Sequence, residues 1–413
     1  MTTRSCTLAN GLRFVHAAMA DTHMMALDVL YKVGSRDEPP TLSGYAHLLE
    51  HLLFSGTALH PNYDSEIQNA GGESNAFTTN DYTSYYVTLP VCNAETAFLL
   101  EADRMRGVLF TDESVEIQKR VVIEEFKQRV INQPYGDVQH LLRPLGYRVH
   151  PYCRPTIGTD IDLIARATTD DVRSFFQRFY TPSNAIVAVA GGISFDEARC
   201  FAEKYFGSIP PAESTSAHVC PEEPRQERMR RLTVHRPVPQ DMLNMDFHMV
   251  SRSHPDFFVC DLISDLLANG TSSRLQQQLV NRRRIFAAID ACISGTLDAG
   301  MLHIQGRPAP GISIDMAEQA VWDELNRLKN EPVSRKELEK VGNRFESERV
   351  FSYMGCLESA LALASLEMAG SSMEQEIRSY RAVSSADVQR VARQLFTRRN
   401  CCVLRYLKSK GSK

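Results

Sequence analysis

Two histidines and a glutamate stand close together in the segment His47-Leu48-Leu49-Glu50-His51. In a helix, positions i, i+3 and i+4 lie on one face within a single turn. His47 and His51 would then hold one metal ion, with Glu50 beside it. Two neutral imidazoles suit zinc, and a carboxylate next to a zinc-bound water suits a general base. The order His-x-x-Glu-His is the inverse of the commoner His-Glu-x-x-His, and it predicts zinc-dependent hydrolysis.

The residues around this segment favour a helix. Ser43 and Gly44 offer an N-terminal cap, and Gly56 offers a C-terminal stop. The leucines between positions 48 and 53 form an apolar stripe beside the polar face. The alternative is an amphipathic helix with two solvent-facing histidines, and the motif alone does not exclude it.

Size and composition exclude several classes of protein. A chain of 413 residues with 43% hydrophobic content suggests two to four domains. The net charge of -4 gives no electrostatic reason to bind nucleic acid. No apolar run reaches membrane-spanning length, and the first six residues lack an apolar signal segment. The sequence therefore predicts a cytoplasmic protein that binds neither membranes nor nucleic acid.

The chain contains an internal repeat. Residues 46–57 and 260–271 share the spacing of their apolar positions and a final Gly-Thr. Residues 169–184 and 385–400 form a second matching pair, and a short β-rich run follows each of them. The sequence therefore predicts two similar halves that follow one another.

The two copies differ at the positions that carry the chemistry. The second copy has Asp261, Ser264 and Asp265 where the first has the two histidines and the glutamate. A purely structural repeat would not predict this asymmetry. It therefore favours a real metal site in the first half and none in the second.

Strand-like and helical patterns are mixed within each half. Residues 12–16, 25–33 and 83–89 have the pattern of strands, and residues 95–109 and 113–130 have helical spacing. Such a mixture predicts an α+β fold of two homologous α/β-sandwich halves, duplicated within one chain, each a sheet with helices on one face.

The domain boundaries follow from the repeat. We predict an N-terminal zinc-binding catalytic domain over residues 1–210, a linker over residues 211–230 and a homologous C-terminal domain without a metal site over residues 231–413. The linker begins in a polar, proline-containing run.

A catalytic zinc site needs a third protein ligand. The motif commits Glu50 to proton transfer, so the ligand must come from elsewhere. The best candidates are Glu124 and Glu125, which directly follow an apolar run in a predicted helix. Adjacent glutamates on a surface helix are ordinarily just solvated, and at this point the choice between the two stays open.

Several motifs together resemble those of a known family. The chain is similar to the pitrilysin/insulinase-type zinc peptidases, or inverzincins, in the branch of mitochondrial processing peptidase and its small bacterial relatives. The resemblance covers essentially the whole chain and implies the LuxS/MPP-like metallopeptidase fold. The motifs that carry it lie at residues 7–12, 47–51, 71–78, 121–125, 150–152 and 272–275.

The resemblance implies a complete zinc site. It implies that Glu125 is the third ligand and that Glu124 fills a variable position. The family often carries another glutamate two helical turns before this ligand, and here that position is Gln118. The departure puts a supporting role for Gln118 in doubt but leaves the ligand set intact.

The resemblance also implies where a substrate would bind. In the family, the segment that corresponds to residues 71–78 forms an edge strand beside the metal, to which a peptide adds by backbone hydrogen bonds. Asn75, Ala76 and Phe77 inherit this role as substrate-binding residues. The alternative for Asn75 is an ordinary loop or turn residue.

The predicted function is that of a zinc endopeptidase acting on short or unfolded polypeptides. Glu50 would take a proton from a zinc-bound water and return it to the leaving amine. One alternative is a non-catalytic structural subunit of the same family, against which the intact motif argues. Another is a metal-binding module without hydrolysis, which would not need Glu50.

One feature of active family members is missing from this chain. They place an arginine, and a tyrosine seven residues later, just after the Ser-Ser-Arg-Leu helix of the second half. Here Val280 and Ala287 occupy these positions, and neither side chain can donate a hydrogen bond. The nearby Arg282, Arg283 and Arg284 would either substitute or form a solvated basic turn.

The missing pair predicts a partner subunit. We expect the zinc-bearing subunit of a heterodimer, with a homologous chain that supplies the arginine and tyrosine, or otherwise a homodimer.

Overall fold

The computed structural model describes residues 3–211 and 220–409. In these residues the strands are β1 (Thr3–Thr7), β2 (Arg13–Ala18), β3 (Met24–Tyr31), β4 (Glu73–Thr78), β5 (Thr83–Pro90), β6 (Ala185–Gly191), β7 (Arg230–Arg236), β8 (Met242–His248), β9 (Phe286–Ile293), β10 (Met301–Pro308) and β11 (Cys401–Lys408).

The α-helices of the same residues follow in chain order. They are α1 (Tyr45–Leu52), α2 (Tyr63–Asn69), α3 (Ala94–Arg106), α4 (Asp112–Phe126), α5 (Val138–Gly146), α6 (Ile161–Ala165), α7 (Thr169–Phe179), α8 (Phe195–Tyr205), α9 (Phe257–Ala268), α10 (Ile314–Asn330), α11 (Arg335–Ser352), α12 (Cys356–Met368), α13 (Met373–Ala382) and α14 (Ser385–Leu395). Two π-helical segments occupy Lys127–Ile131 and Gln276–Arg282.

The first compact unit contains the segments Met1–Arg129, Arg154–Cys220 and Arg349–Ser372. Its described residues form a mixed sheet in the order β1-β2-β6-β3-β5-β4. β2 and β6 are parallel, and the other neighbours are antiparallel. The strand β4, which contains the predicted substrate-binding residues, therefore lies at an edge of the sheet.

Both faces of the first sheet are covered. Every residue of β6 is buried, as expected for a strand with packing on both sides. On one face, small residues such as Ala26 and Ala188 pack against Ala360 and Ala364 of α12. On the other, the helices include α3 and α8. The sequence predicts helices on one face of the sheet, and the structure has the additional helix α12 on the other face.

The second compact unit contains Val130–Cys153, Pro221–Glu348 and Met373–Lys413. Its described residues form a sheet in the order β7-β11-β8-β10-β9. Phe247 of β8 packs its ring against the rings of Trp322 and Phe396, with centroids 5.7 and 5.0 Å away. Another face of the sheet is covered by α5, where Leu142 packs with Leu404.

The two sheets confirm the predicted duplication. The order β2-β6-β3-β5-β4 in the first matches β7-β11-β8-β10-β9 in the second. The repeated segments form α1 and α9, α7 and α14, and β6 and β11. Repeated sequence therefore folds into repeated structure.

The compact units are not contiguous in sequence. The first half contributes α5 to the second unit, and the second half contributes α12 to the first. The units therefore differ from the predicted domains, residues 1–210 and 231–413, by one exchanged segment in each direction. Of the predicted linker, residues 212–219 lie outside the described residues.

The prediction that Ser43 and Gly44 offer the N-terminal cap of the histidine-bearing helix is confirmed for Gly44 and not for Ser43. The N-cap of α1 is Gly44, with φ of +93°, and it has no side chain of its own with which to cap the helix. The Ser43 hydroxyl instead accepts the N–H of Thr159 over 3.1 Å. A capping residue must fold back over the helix end, and the turn at Gly44 directs Ser43 away from it.

Among the described residues, no helix combines the length and the apolar character that crossing a membrane requires.

Candidate metal centre

The helix α1 has one apolar face and one face that carries the motif. Leu48, Leu49 and Leu52 are buried almost completely. His47 and His51 lie on the other face, with ring centroids 4.9 Å apart. The helical spacing thus brings the two imidazoles together, as the sequence predicts.

The helix α4 packs against α1 and brings a carboxylate to the histidines. Glu125 Oε2 lies 3.5 Å from His47 Nε2 and 3.2 Å from His51 Nε2. The three ligand atoms lie within 4.8 Å of one another. Residues from two helices, 78 positions apart at their extremes, therefore converge on one point.

The spacing of these atoms fits a zinc ion. Zinc binds imidazole and carboxylate at about 2.0–2.2 Å, so tetrahedral ligands lie roughly 3.4 Å from each other. The two nitrogen-to-oxygen distances of 3.5 and 3.2 Å bracket this value. The donor types are those of catalytic zinc sites with three protein ligands.

Glu124 points elsewhere. Adjacent residues of a helix differ by about 100° in direction, and the Glu124 carboxylate pairs with Lys127 at 2.6 Å on the exposed surface. The half-buried Gln118 lies two turns before Glu125, and its side chain makes no hydrogen bond among those found in the described residues. Of the two adjacent glutamates, Glu125 therefore faces the histidines and Glu124 faces Lys127.

The side chains of the cluster have protonation states that allow them to bind a metal cation. Burial lowers the pKa of His47 to about 4, so its imidazole is neutral near pH 7. The hydrogen bond with His51 holds the pKa of Glu125 below its usual range. A neutral imidazole and an ionised carboxylate are the forms that bind metal.

Glu50 stands beside this cluster without joining it. Its Oε2 accepts a hydrogen bond from the Thr78 hydroxyl at 2.5 Å. Burial raises the pKa of Glu50, and the bond from Thr78 opposes the rise. A carboxylate with a raised pKa that is not itself a ligand has the properties of a general base.

Arg129 is a site residue that the sequence reasoning missed. Its Nη1 lies 3.0 Å from Glu125 Oε1, the oxygen that does not face the histidines. Its side chain is 68% exposed. The arginine therefore orients Glu125 from the solvent side. Its position four residues after Glu125 in a helical run was the available signal.

The strand β4 supplies the predicted substrate residues. Asn75 is exposed, and its Oδ1 accepts the N–H of Ala76 over 2.8 Å. The Phe77 ring packs beside Tyr82 with centroids 5.8 Å apart. Because side chains alternate along a strand, Ala76 shares a face with Thr78, while Asn75 and Phe77 lie on the opposite face. In the described residues β4 pairs only with β5, so its outer edge is free for another strand.

The corresponding residues of the second half are held in internal hydrogen bonds. The Tyr380 hydroxyl donates to Asp261. Ser264 donates to the Asp261 carbonyl over 2.8 Å, and Asn269 donates to Asp265 over 2.7 Å. These side chains form no potential metal cluster among the described residues.

The positions of the missing arginine and tyrosine lie in the second unit. Val280 packs against the core from a π-helical segment, and Ala287 is exposed on β9. Arg282, Arg283 and Arg284 are all exposed. Arg284 has a φ of +51°.

Comparison with known proteins decides the family. Residues 13–160 match the family described as Insulinase (Peptidase family M16), and residues 166–345 match the domain described as Peptidase M16 inactive domain. A zinc protease, PqqE, from Helicobacter pylori is 30% identical over 342 residues, which cover 82% of this chain and 77% of that protein.

The chain belongs to peptidase family M16. An uncharacterized zinc protease, YmxG, from Bacillus subtilis is 28% identical over 95% of both chains. The crystal structure of a protease from Helicobacter pylori superposes with a TM-score of 0.93 at 26% identity, over 98% of this chain and 99% of that one. The predicted family, the duplicated fold and the predicted class of zinc-dependent peptidase are confirmed.

The two matched domains agree with the asymmetry between the halves. The stretch that matches the peptidase domain contains the histidine pair and Glu125. The stretch that matches the inactive domain contains Asp261, Ser264 and Asp265. The M16 chain therefore has one half with a metal cluster and one half in which the matching positions are hydrogen-bonded internally.

Proposed function

We propose that this M16 chain is a zinc-dependent endopeptidase in which His47, His51 and Glu125 hold the zinc ion and Glu50 is the general base. The convergence of the three ligand atoms from α1 and α4 carries the metal assignment. Bound zinc supplies a polarising charge for water and for the substrate carbonyl. The steps that move protons fall to residues of the chain.

The role of Glu50 rests on its position. It lies on the motif face of α1, between the two histidines in sequence, and its Oε2 accepts from Thr78. In that position it accepts a proton from the attacking water and passes it to the leaving amine. Burial raises the pKa of Glu50 above its ordinary value, the direction that favours acceptance of a proton.

The proposed substrate is an extended, unfolded peptide segment. β4 is a sheet edge next to Glu50, and an added strand would receive backbone hydrogen bonds from it. Ala76 on one face, and Asn75 and Phe77 on the other, would contact alternate side chains of the peptide. Most of the backbone of a folded protein is already hydrogen-bonded within its own structure, so unfolded chains and short peptides fit best.

The substitution Glu50→Gln tests the assignment of the base. The variant is expected to keep its zinc and its fold, and to lose roughly 10²–10⁴-fold in turnover of an unstructured peptide. Elemental analysis and steady-state kinetics measure the two properties. Glu124→Gln is the matched control, because it removes a carboxylate that pairs with Lys127 on the exposed surface. Turnover of Glu50→Gln within a few-fold of wild type would remove Glu50 from the mechanism.

The proposed working form is a heterodimer. The positions of the arginine and tyrosine of active relatives hold Val280 and Ala287, which offer no side-chain donor. A tetrahedral intermediate needs donors for its developing negative charge. The proposed partner is a homologous chain that contributes this pair.

A further inference from the structure

The first turn of α1 receives no cap from its own sequence. Gly44 has no side chain, and Ser43 bonds to Thr159 instead. The N–H groups at the start of a helix have no acceptor within the helix and need one from elsewhere. This requirement is acute here because α1 has only eight residues and carries the histidine pair.

The Glu38 side chain supplies hydrogen-bond acceptors for two N–H groups at the start of α1. Its Oε2 accepts the N–H of Gly44 over 2.9 Å, and its Oε1 accepts the N–H of Ala46 over 2.8 Å. The residue is 1% exposed. Both oxygens of a single carboxyl group are therefore bonded to the start of α1.

Arg154 completes this buried arrangement. It donates from Nη2 to the backbone oxygen of Glu38 over 2.8 Å and is itself buried. Burial raises the pKa of Glu38 to about 8, while the two N–H bonds and the Arg154 charge act in the opposite direction. Specific hydrogen bonds to one helix end thus hold this buried carboxyl group in place.

The residues just before Glu38 hold the end of β4. The N–H groups of Ser35 and Arg36 donate to the carbonyls of Thr79 and Asn80 over 3.2 and 3.0 Å. At Gly34 the backbones approach so closely that a Cβ would lie 2.4 Å from the Asn80 oxygen. Residues 34–38 therefore tie the start of α1 to the residues that directly follow Thr78.

We propose that Glu38 is a positioning residue for the metal site. Through its two bonds to α1 it sets the depth and rotation at which His47 and His51 meet Glu125. The inference rests on the ligand set proposed above. Residues that orient metal ligands contribute typically about 10–100-fold to metal affinity, and a merely structural residue would alter global stability instead.

The test compares zinc affinity in matched buried-carboxylate variants. Glu38→Gln places an amide donor against one of the two N–H groups, and Glu38→Asp is too short to reach both. Glu318→Gln is the control: Glu318 is buried in the second unit, where it pairs with Arg231 and Arg405. Chelator competition gives the zinc affinity, and the absorption spectrum of the Co²⁺ form reports the ligand geometry.

Glu38→Gln is expected to bind zinc about 10–100-fold more weakly with an altered Co²⁺ spectrum, while Glu318→Gln binds as wild type does. Wild-type affinity in a folded Glu38→Gln protein overturns the proposal. If that variant does not fold, the same comparison is made on Glu38→Asp. If the proposed ligand set is itself wrong, His51→Ala binds zinc as wild type does. That result distinguishes an error in the ligand set from an error in the role proposed for Glu38.

Discussion

The Thr78 hydroxyl donates a 2.5 Å hydrogen bond to Glu50 Oε2 and so joins the last residue of β4 to the carboxylate on α1. The strand that would bind a peptide and the group that would move its protons are therefore in direct contact. Because the bond favours the ionised carboxylate, it also lowers the pKa of Glu50 against the effect of burial. A peptide added to β4 would lie next to a base that the same strand orients.

Thr78→Val is expected to lower kcat/KM by roughly 10–100-fold, because a hydrogen bond to a charged group contributes about 1.5–3 kcal/mol. Zinc content is expected to stay the same, since the Thr78 hydroxyl donates to Glu50, which is not one of the three proposed ligands. Thr78→Ser keeps the hydroxyl and is expected to restore most of the activity. Steady-state kinetics and elemental analysis measure both effects. Equal activity in the Val and Ser variants would show that the bond does not serve the reaction.

Zinc binding is expected to require His47, His51 and Glu125 but not Glu124. Only the second glutamate of the pair has an oxygen within 3.5 Å of both imidazoles. Elemental analysis of the four single variants, to alanine for the histidines and to glutamine for the glutamates, gives the metal content. Loss of zinc from Glu124→Gln together with its retention in Glu125→Gln would contradict the geometry of α4.

The isolated chain is expected to bind zinc and to hydrolyse peptides weakly. Loss of a donor for the oxyanion typically costs about 10²–10³-fold in turnover, and Val280 and Ala287 supply none. Adding a homologous partner that carries the arginine and tyrosine is expected to restore activity. Co-purification from the source identifies such a partner, and titration with it measures the gain. Full activity of the chain alone, unaffected by substitution of Arg282, Arg283 and Arg284, would exclude the heterodimer.

Asp28 is expected to make stability depend on pH. It is fully buried on β3, accepts from Ser84 over 2.5 Å, and burial raises its pKa to about 8. The unfolded chain releases this proton near pH 4. Between these values the native state holds more protons, so the free energy of unfolding falls as pH rises, by up to about 1.4 kcal/mol per pH unit.

Asp28→Asn removes this contribution and keeps the hydrogen bond. In chemical denaturation between pH 5 and 8, the free energy of unfolding of Asp28→Asn is expected to increase relative to that of wild type as pH rises. Asp196→Asn, at an exposed acid on α8, is the control and is expected to follow the wild-type curve. Parallel curves for Asp28→Asn and wild type would mean that Asp28 is ionised in the folded protein.

Much of the site is readable from local sequence. The i, i+3, i+4 spacing of His47, Glu50 and His51 places them on one helix face wherever α1 lies, because helical geometry is local. The repeat predicts the duplicated sheet, and the substitutions at Asp261, Ser264 and Asp265 predict which half carries the metal. These inferences depend on residues within a few turns of each other or on the likeness between the two copies.

Only the tertiary structure decided how distant elements meet. The rotation of α4 against α1 brings Glu125 to the histidines and leaves Glu124 with Lys127, and the spacing of two adjacent glutamates contains no information on that rotation. Thr78 reaches Glu50, and Glu38 reaches Gly44 and Ala46, through turns of the chain that no local pattern encodes. The exchange of α5 and α12 between the compact units likewise depends on contacts between elements that are distant in sequence. Their apolar faces specify burial, but which sheet buries them depends on packing across the whole chain.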